Sequence, residues 1–208
     1  MSKRSYGQYC GLARSLDVLG GRWSLLVVRE LLDGPARYNR LLEGLPGIAT
    51  NLLAERLREL EQAGVVQRSL DADSNSVVYS LTPWGSELRG VVTGLVKWST
   101  PLMISGPQSD TFQTHWLSVA LSSLLDNKHT DEPRAVGLEV DGTLITVRTD
   151  KSGISIALDD DAQPETVLRA EPMVVLGLAS GMLTAEQAIA AGEFRGNKKD
   201  LADALSPG

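Results

Sequence analysis

In this chain of 208 residues, Asn51 and Arg58 are the side chains best suited to reading another molecule through directed hydrogen bonds. Both lie in the stretch from Thr50 to Ala63, where Leu53, Leu57 and Leu60 recur at helical spacing. A helix anchored through that leucine stripe turns Asn51, Ala54, Glu55 and Arg58 outward, with Thr50 in its first turn. An outward Asn can pair with adenine, and an outward Arg with guanine or with phosphate. Arg37 and Arg40 sit on a short preceding helix, where phosphate contacts would fix the docking of the next one. Arg22, Arg56 and Arg68 complete the set of candidate cations. The alternative is a plain helical hairpin whose polar face is solvated and reads nothing.

Other reactive residue types are scarce. Cys10 is the single cysteine, so no disulfide can form within the chain, which suits a reducing cytoplasm. It sits at a helix N-terminus, with Arg14 one turn along, an arrangement that would favour a thiolate. The competing reading is a small buried residue at a dimer seam. His115 and His129 stand apart with no further ligands, so no metal site is expected. Gly20-Gly21 leads into Arg22-Trp23 without the Gly-Lys-Ser/Thr of a phosphate-cradling loop, and Asp159-Asp160-Asp161 reads as a solvated turn. Neither a cofactor nor an enzymatic activity is expected. Met1 to Tyr9 lacks the apolar core of a secretory signal, and the greasy stretch Met173 to Leu183 is too short to span a bilayer.

The elements that must position these residues are helices separated by sharp breaks. The spacing predicts helices over Cys10–Leu19, Trp23–Leu32, Arg37–Leu42 and Thr50–Ala63, the last closed by Gly64. Two strands come next, Val65–Leu70 and Val77–Leu81, with an acidic tip at Asp71-Ala72-Asp73. Thr82 then caps a long helix from Pro83 to Met103. Two helices, a glycine-bearing turn and a hairpin are the order of a winged helix-turn-helix. The last helix carries Leu88, Val92, Leu95 and Trp98. With Leu12 and Leu16 near the start, these form more apolar surface than so small a domain can hide, which implies a homodimer.

Several segments, in order, resemble the HxlR family of regulators. They are Tyr9 through Trp23, Leu25 through Leu32, Gly34 through Tyr38, Leu45 through Ile48, Leu53 through Glu61, and Tyr79 through Gly85. The resemblance implies a dimeric transcription regulator that binds double-stranded operator DNA, and a cysteine that in some members senses oxidants or electrophiles. One departure is the acidic wing tip, where many winged helices carry Lys or Arg.

A run of turn-forming residues, Ser105 to Asp110, divides the chain into domains at 1–104 and 111–208. Residues 1–103 hold 12 basic and 10 acidic side chains, a net of +2, whereas residues 104–208 hold 8 and 16, a net of −8. The first half can therefore approach DNA and the second cannot. The second half reads as α+β: a helix over Phe112–Leu125 with Trp116, Val119, Ala120 and Leu124 as core positions, strands at Ala135–Val140, Leu144–Arg148, Ile154–Leu158 and Thr166–Ala170, then helices over Pro172–Met182, Ala185–Ala191 and Lys198–Leu205. Its end resembles sterol-carrier-like domains, whose sheet and covering helices enclose an apolar tunnel. That resemblance implies a lipophilic small-molecule effector near Trp116, Leu117, Leu121, Met173, Leu176 and Met182. A lipid-carrier protein whose winged helix serves protein contacts is the other functional class left open.

Overall fold

Gly20-Gly21, Asp33-Gly34-Pro35 and Gly44-Leu45-Pro46-Gly47 cut the first ninety residues into short helices, as their turn propensity requires. The computed structural model describes residues 5–71, 75–103, 106–158 and 161–205. Ala72 and Asp73 of the wing tip, Ser105 of the expected linker, and Asp159 and Asp160 of the acidic turn lie outside them. The chain separates into two units, Met1–Val92 and Thr93–Gly208.

The first unit opens with α1 (Gly11–Leu19) and α2 (Ser24–Leu31), followed by a two-residue strand β1 (Ala36–Arg37), α3 (Tyr38–Glu43) and α4 (Thr50–Gln62). Leu53, Leu57 and Leu60 of α4 are buried together with Val27, Val28 and Leu31 of α2 and Leu41 of α3. Helix α4 ends where Gly64 takes a positive φ of 78°. The Gly64 N–H then donates to Glu61 O at 3.0 Å and the Val65 N–H to Leu60 O at 2.9 Å, a Schellman closure that only a glycine enters without strain. Strands β2 (Val66–Leu70) and β3 (Val77–Leu81) form the wing, and β1 joins them in the order β1-β3-β2, with Ala36 opposite Tyr79.

Thr82 locks the end of the wing to the next helix. Its hydroxyl accepts from the Gly85 N–H at 2.9 Å and donates to Gly64 O at 2.7 Å, while its own N–H reaches Val65 O at 3.0 Å. A Cβ on Gly85 would come within 2.0 Å of Val65 O, so the close approach demands glycine. The single helix expected over Pro83–Met103 is instead α5 (Pro83–Ser86), α6 (Leu88–Ser99) and a 3-10 turn, Thr100–Met103. Glu87 donates to Trp84 O, three residues back, which tightens the first break. Pro101, without an N–H, cannot continue an α-helix at the second.

In the second unit, α7 (Trp116–Leu124) precedes β4 (Arg134–Val140), β5 (Thr143–Asp150), β6 (Gly153–Leu158) and β7 (Thr166–Arg169). Then come α8 (Pro172–Ala179), α9 (Ala185–Ala190), β8 (Glu193–Arg195) and α10 (Lys198–Leu205). The five strands lie in the order β6-β5-β4-β7-β8, with β4 and β7 parallel and the other pairs antiparallel, so β6 and β8 are the outer strands. Val136, Leu138 and Val140 alternate along β4, as do Ile145 and Val147 along β5, so each set points to one face. They belong to one core with Leu117 and Leu121 of α7, Val175 and Leu178 of α8 and Leu201 and Leu205 of α10.

Two expectations for α7 are corrected. Residues 113–118 are joined by hydrogen bonds three residues back, so the α-helix begins at Trp116 rather than Phe112. The buried stripe runs through Leu117, Leu121 and Leu125 and takes in Val119, while Trp116, Ala120 and Leu124 are only partly covered. Nearly every residue of this helix is apolar or small, so spacing alone does not select the buried face.

Candidate DNA-binding surface and ligand positions

The leucine stripe of α4 fixes which side chains face out. Thr50, Asn51, Ala54 and Arg58 are exposed and Glu55 is half-buried. The first turn of α4 carries no acidic residue, and Ala49 before it supplies no side-chain cap. Its leading N–H groups therefore receive no side-chain cap from that position, and the positive end of the helix dipole lies at this exposed start.

The turn before α4 is held from three sides. Tyr38 donates its hydroxyl to Thr50 O at 2.6 Å, tying α3 to the first residue of α4. Arg29 donates to Gly44 O at 3.3 Å and also pairs with Glu30 at 2.6 Å. The Glu30 carboxylate fills the space where a side chain at Gly44 would stand. Trp23 begins α2 with a left-handed φ of 81°, and its ring reaches the turn, 3.9 Å from where a Cβ on Gly47 would lie. The Arg22 guanidinium sits 5.6 Å from the centre of that ring. Tyr38, Arg29, Glu30 and Trp23 are positioning residues that sequence reasoning missed. The tryptophan after a glycine pair and the tyrosine heading α3 are the signals that could have found them.

The cations divide by their surroundings. Arg22, Arg40, Arg58 and Arg68 are exposed. Arg37 is exposed but lies 3.4 Å from Asp71 at the root of the wing. Arg56 turns inward instead: it pairs with Glu59 and, at 3.7 Å, with Glu55, and its guanidinium lies against Gly21. With only 17% of its side chain exposed, Arg56 is placed to brace α4 against the start of α2 rather than to meet a ligand.

Apolar side chains remain uncovered on both helices expected at a dimer seam. Leu12 and Leu16 of α1 are exposed, with Tyr6 and Tyr9 just before them. On α6, Leu95 and Trp98 are exposed and Leu88 is half-buried, whereas Val92 is buried within the single chain and serves its core. Cys10 is exposed at the N-cap of α1. The N–H groups of Ala13 and then Leu12 hold its thiol below the ordinary value, although neither closes a full hydrogen bond to the sulfur.

Of the ligand positions in the second unit, Leu117 and Leu121 are wholly enclosed in the core. Trp116, Met173 and Leu176 are half-buried, and Met182 is exposed. Trp116 meets Phe112 edge to face at 6.3 Å.

A family model described as HxlR-like helix-turn-helix matches residues 18–105. The HTH-type transcriptional regulator sll1512 of Synechocystis is 39% identical over 92 residues, which is 44% of this chain and 68% of that protein. The HTH-type transcriptional regulator YodB of Bacillus subtilis is 37% identical over 86 residues, 41% of this chain and 77% of that protein. A solved structure of the reduced form of YodB is 35% identical, covers 48% of this chain and 99% of that one, and has a TM-score of 0.41.

Proposed function

The chain belongs to the HxlR-like helix-turn-helix family and is a transcriptional regulator of the helix-turn-helix type, and from that premise we propose that it binds operator DNA as a cytoplasmic homodimer. The observation that carries this reading is the outward row Thr50, Asn51, Ala54 and Arg58, opposite the buried leucines of α4. The exposed start of α4 enters the major groove, where Asn51 pairs with adenine and Arg58 with guanine or phosphate. Arg22, Arg37, Arg40 and Arg68 neutralise phosphates and set the docking angle. Glu55 offers an acceptor toward a cytosine amino group, and Thr50 and Ala54 keep the groove-facing surface small. Because the wing root is acidic, affinity rests mainly on the helices and on Arg37, which an incoming phosphate draws from Asp71. The exposed leucines of α1 and α6 close a symmetric dimer, with its two recognition helices about 34–36 Å apart. The test is a titration of genomic fragments recovered with the protein, repeated at several salt concentrations. Affinity should fall steeply with salt as counterions are released, and a flat salt response would overturn the assignment.

The position of Cys10 favours a second layer. An exposed thiol held toward its thiolate can be oxidised by peroxide to a sulfenic acid, and DNA affinity would then follow the redox state. Peroxide should change the affinity of the wild type and leave Cys10→Ser unaffected. The second unit, read as a sterol-carrier-like domain at residues 111–208, would take a lipophilic effector against Trp116, Met173, Leu176 and Met182. Leu117 and Leu121 would form only the floor, because the core already encloses them. Native mass spectrometry against long-chain alcohols and acids tests this, and no adduct with any of them would dismiss it.

A further inference from the structure

The core-facing rows of β4 and β5 run out at one end of the sheet in polar residues. Arg134 continues the row of Val136, Leu138 and Val140, and Thr149 continues the row of Ile145 and Val147. The two are direct partners in the antiparallel ladder. Beyond them opens a cleft of about 440 Å³, walled by Lys128, His129 and Thr130, by Arg134 and Thr149, and by the small Ala202 and Ala204 of α10 with Asp203 between them. Its volume lies within the range of small-molecule sites.

The polar groups here are not all spent on holding the fold. Arg134 is committed, paired with Asp200, with Glu132 at 3.2 Å and with Asp203 at 3.3 Å. Lys128 donates to the Asp203 backbone oxygen at 2.9 Å, and an ammonium carries three protons. Burial holds Lys128 below the ordinary lysine value, partly offset by Asp203. Thr149 is 3% exposed, and its hydroxyl is shut off from solvent with no hydrogen-bond partner among the described residues. A buried hydroxyl left unpaired is costly where a valine would have continued the core.

We propose that this cleft is a binding site for a small organic carboxylate, of hydroxy-acid or amino-acid size, held by the Lys128 ammonium and the Thr130 hydroxyl, with the enclosed Thr149 hydroxyl turning toward the cleft to donate to it. The site is separate from the apolar positions on α7 and α8, and it does not depend on the DNA-binding reading. A carboxylate accepts from all three donors, whereas an apolar ligand would leave the Thr149 hydroxyl unpaired.

The test uses the full chain and calorimetric titration with lactate, succinate and glutamate. Lactamide and succinamide, which carry no carboxylate, serve as neutral counterparts of lactate and succinate, and glutamine, which keeps the α-carboxylate, tests whether the side-chain carboxylate of glutamate is the one held. At least one acid should bind while its amide does not. Thr149→Val should keep or raise the melting temperature and weaken that acid roughly tenfold, the scale of losing one hydrogen bond to a charged group. Lys128→Met should weaken it further. No binding by any of the three acids, equal binding by the neutral amides, or undiminished binding to a folded Thr149→Val variant would each overturn the proposal.

Discussion

The two units hold their apolar side chains in opposite ways. In the second, the rows from β4 and β5 meet α7, α8 and α10 in one enclosed cluster. In the first, a comparable core around α2 and α4 coexists with uncovered Tyr6, Tyr9, Leu12 and Leu16 along the chain entering and forming α1. An enclosed core is complete in one copy, whereas an uncovered apolar helix face lowers its free energy by meeting another surface. Similar sets of leucines and valines can thus serve folding alone in one unit and offer a surface for assembly in the other.

The largest expected effect lies in the enclosed core. Leu138→Ala should destabilise the second unit by about 2–5 kcal/mol, through lost transfer free energy and the cavity left behind. Hydrogen exchange should show the loss confined to β4–β7, with the amides of α4 unchanged. Equal loss of protection in α4 would break the contrast, because the two units would then unfold as one.

Next in size is a change that should leave folding alone. Asn51→Ala should cost about 1–3 kcal/mol on a cognate operator and nothing on random DNA. Arg37→Ala should weaken both equally and reduce the salt slope by about one. Parallel titrations on the two DNAs check this, and equal losses for Asn51→Ala would remove it from base readout.

Thr82→Ala removes an N-cap whose hydroxyl also bonds Gly64 O, and should cost about 1 kcal/mol, read as a lower denaturation midpoint of the first unit. Double substitution of Leu12 and Leu16 by Ser should scarcely change that midpoint while shifting the protein toward monomer in sedimentation. A monomeric wild type would break the comparison outright. The smallest effect concerns Cys10. A thiol whose folded value is lowered is ionised from a lower pH upward, so alkylation should reach half its maximal rate at a lower pH than an ordinary cysteine does. Urea-unfolded chain should titrate higher than the native protein.

Much of the frame is legible because local signals agree. The leucine stripe and Gly64 mark α4 to within a residue, and Asp141-Gly142 and Ser152-Gly153 mark the turns that separate β4, β5 and β6. Other features have no local signal. Strands β1 and β8 are two and three residues long, and each exists only through pairing with a distant strand. The inward turn of Arg56 depends on the space left by Gly21, thirty-five residues earlier. The carboxylate cleft draws its walls from residues 128–130, 134, 149 and 202–204, which no periodicity connects. Helix α7, apolar or small almost throughout, has no stripe to read.

Strand β6 carries a liability that concerns handling rather than recognition. It is an outer strand of the sheet, and its sequence, Gly-Ile-Ser-Ile-Ala-Leu, alternates two isoleucines and carries no charge and no proline. Its outer backbone groups have no neighbouring strand among the described residues, so a second sheet can add there once the covering side chains loosen. Lys151, just before the strand, is one flanking charge placed to discourage that addition, and the acidic run 159–161 follows the strand in sequence. Concentrated stocks should therefore precipitate by strand addition at β6 when warmed, and replacing Ser155, which is exposed, with lysine should keep them clear for longer.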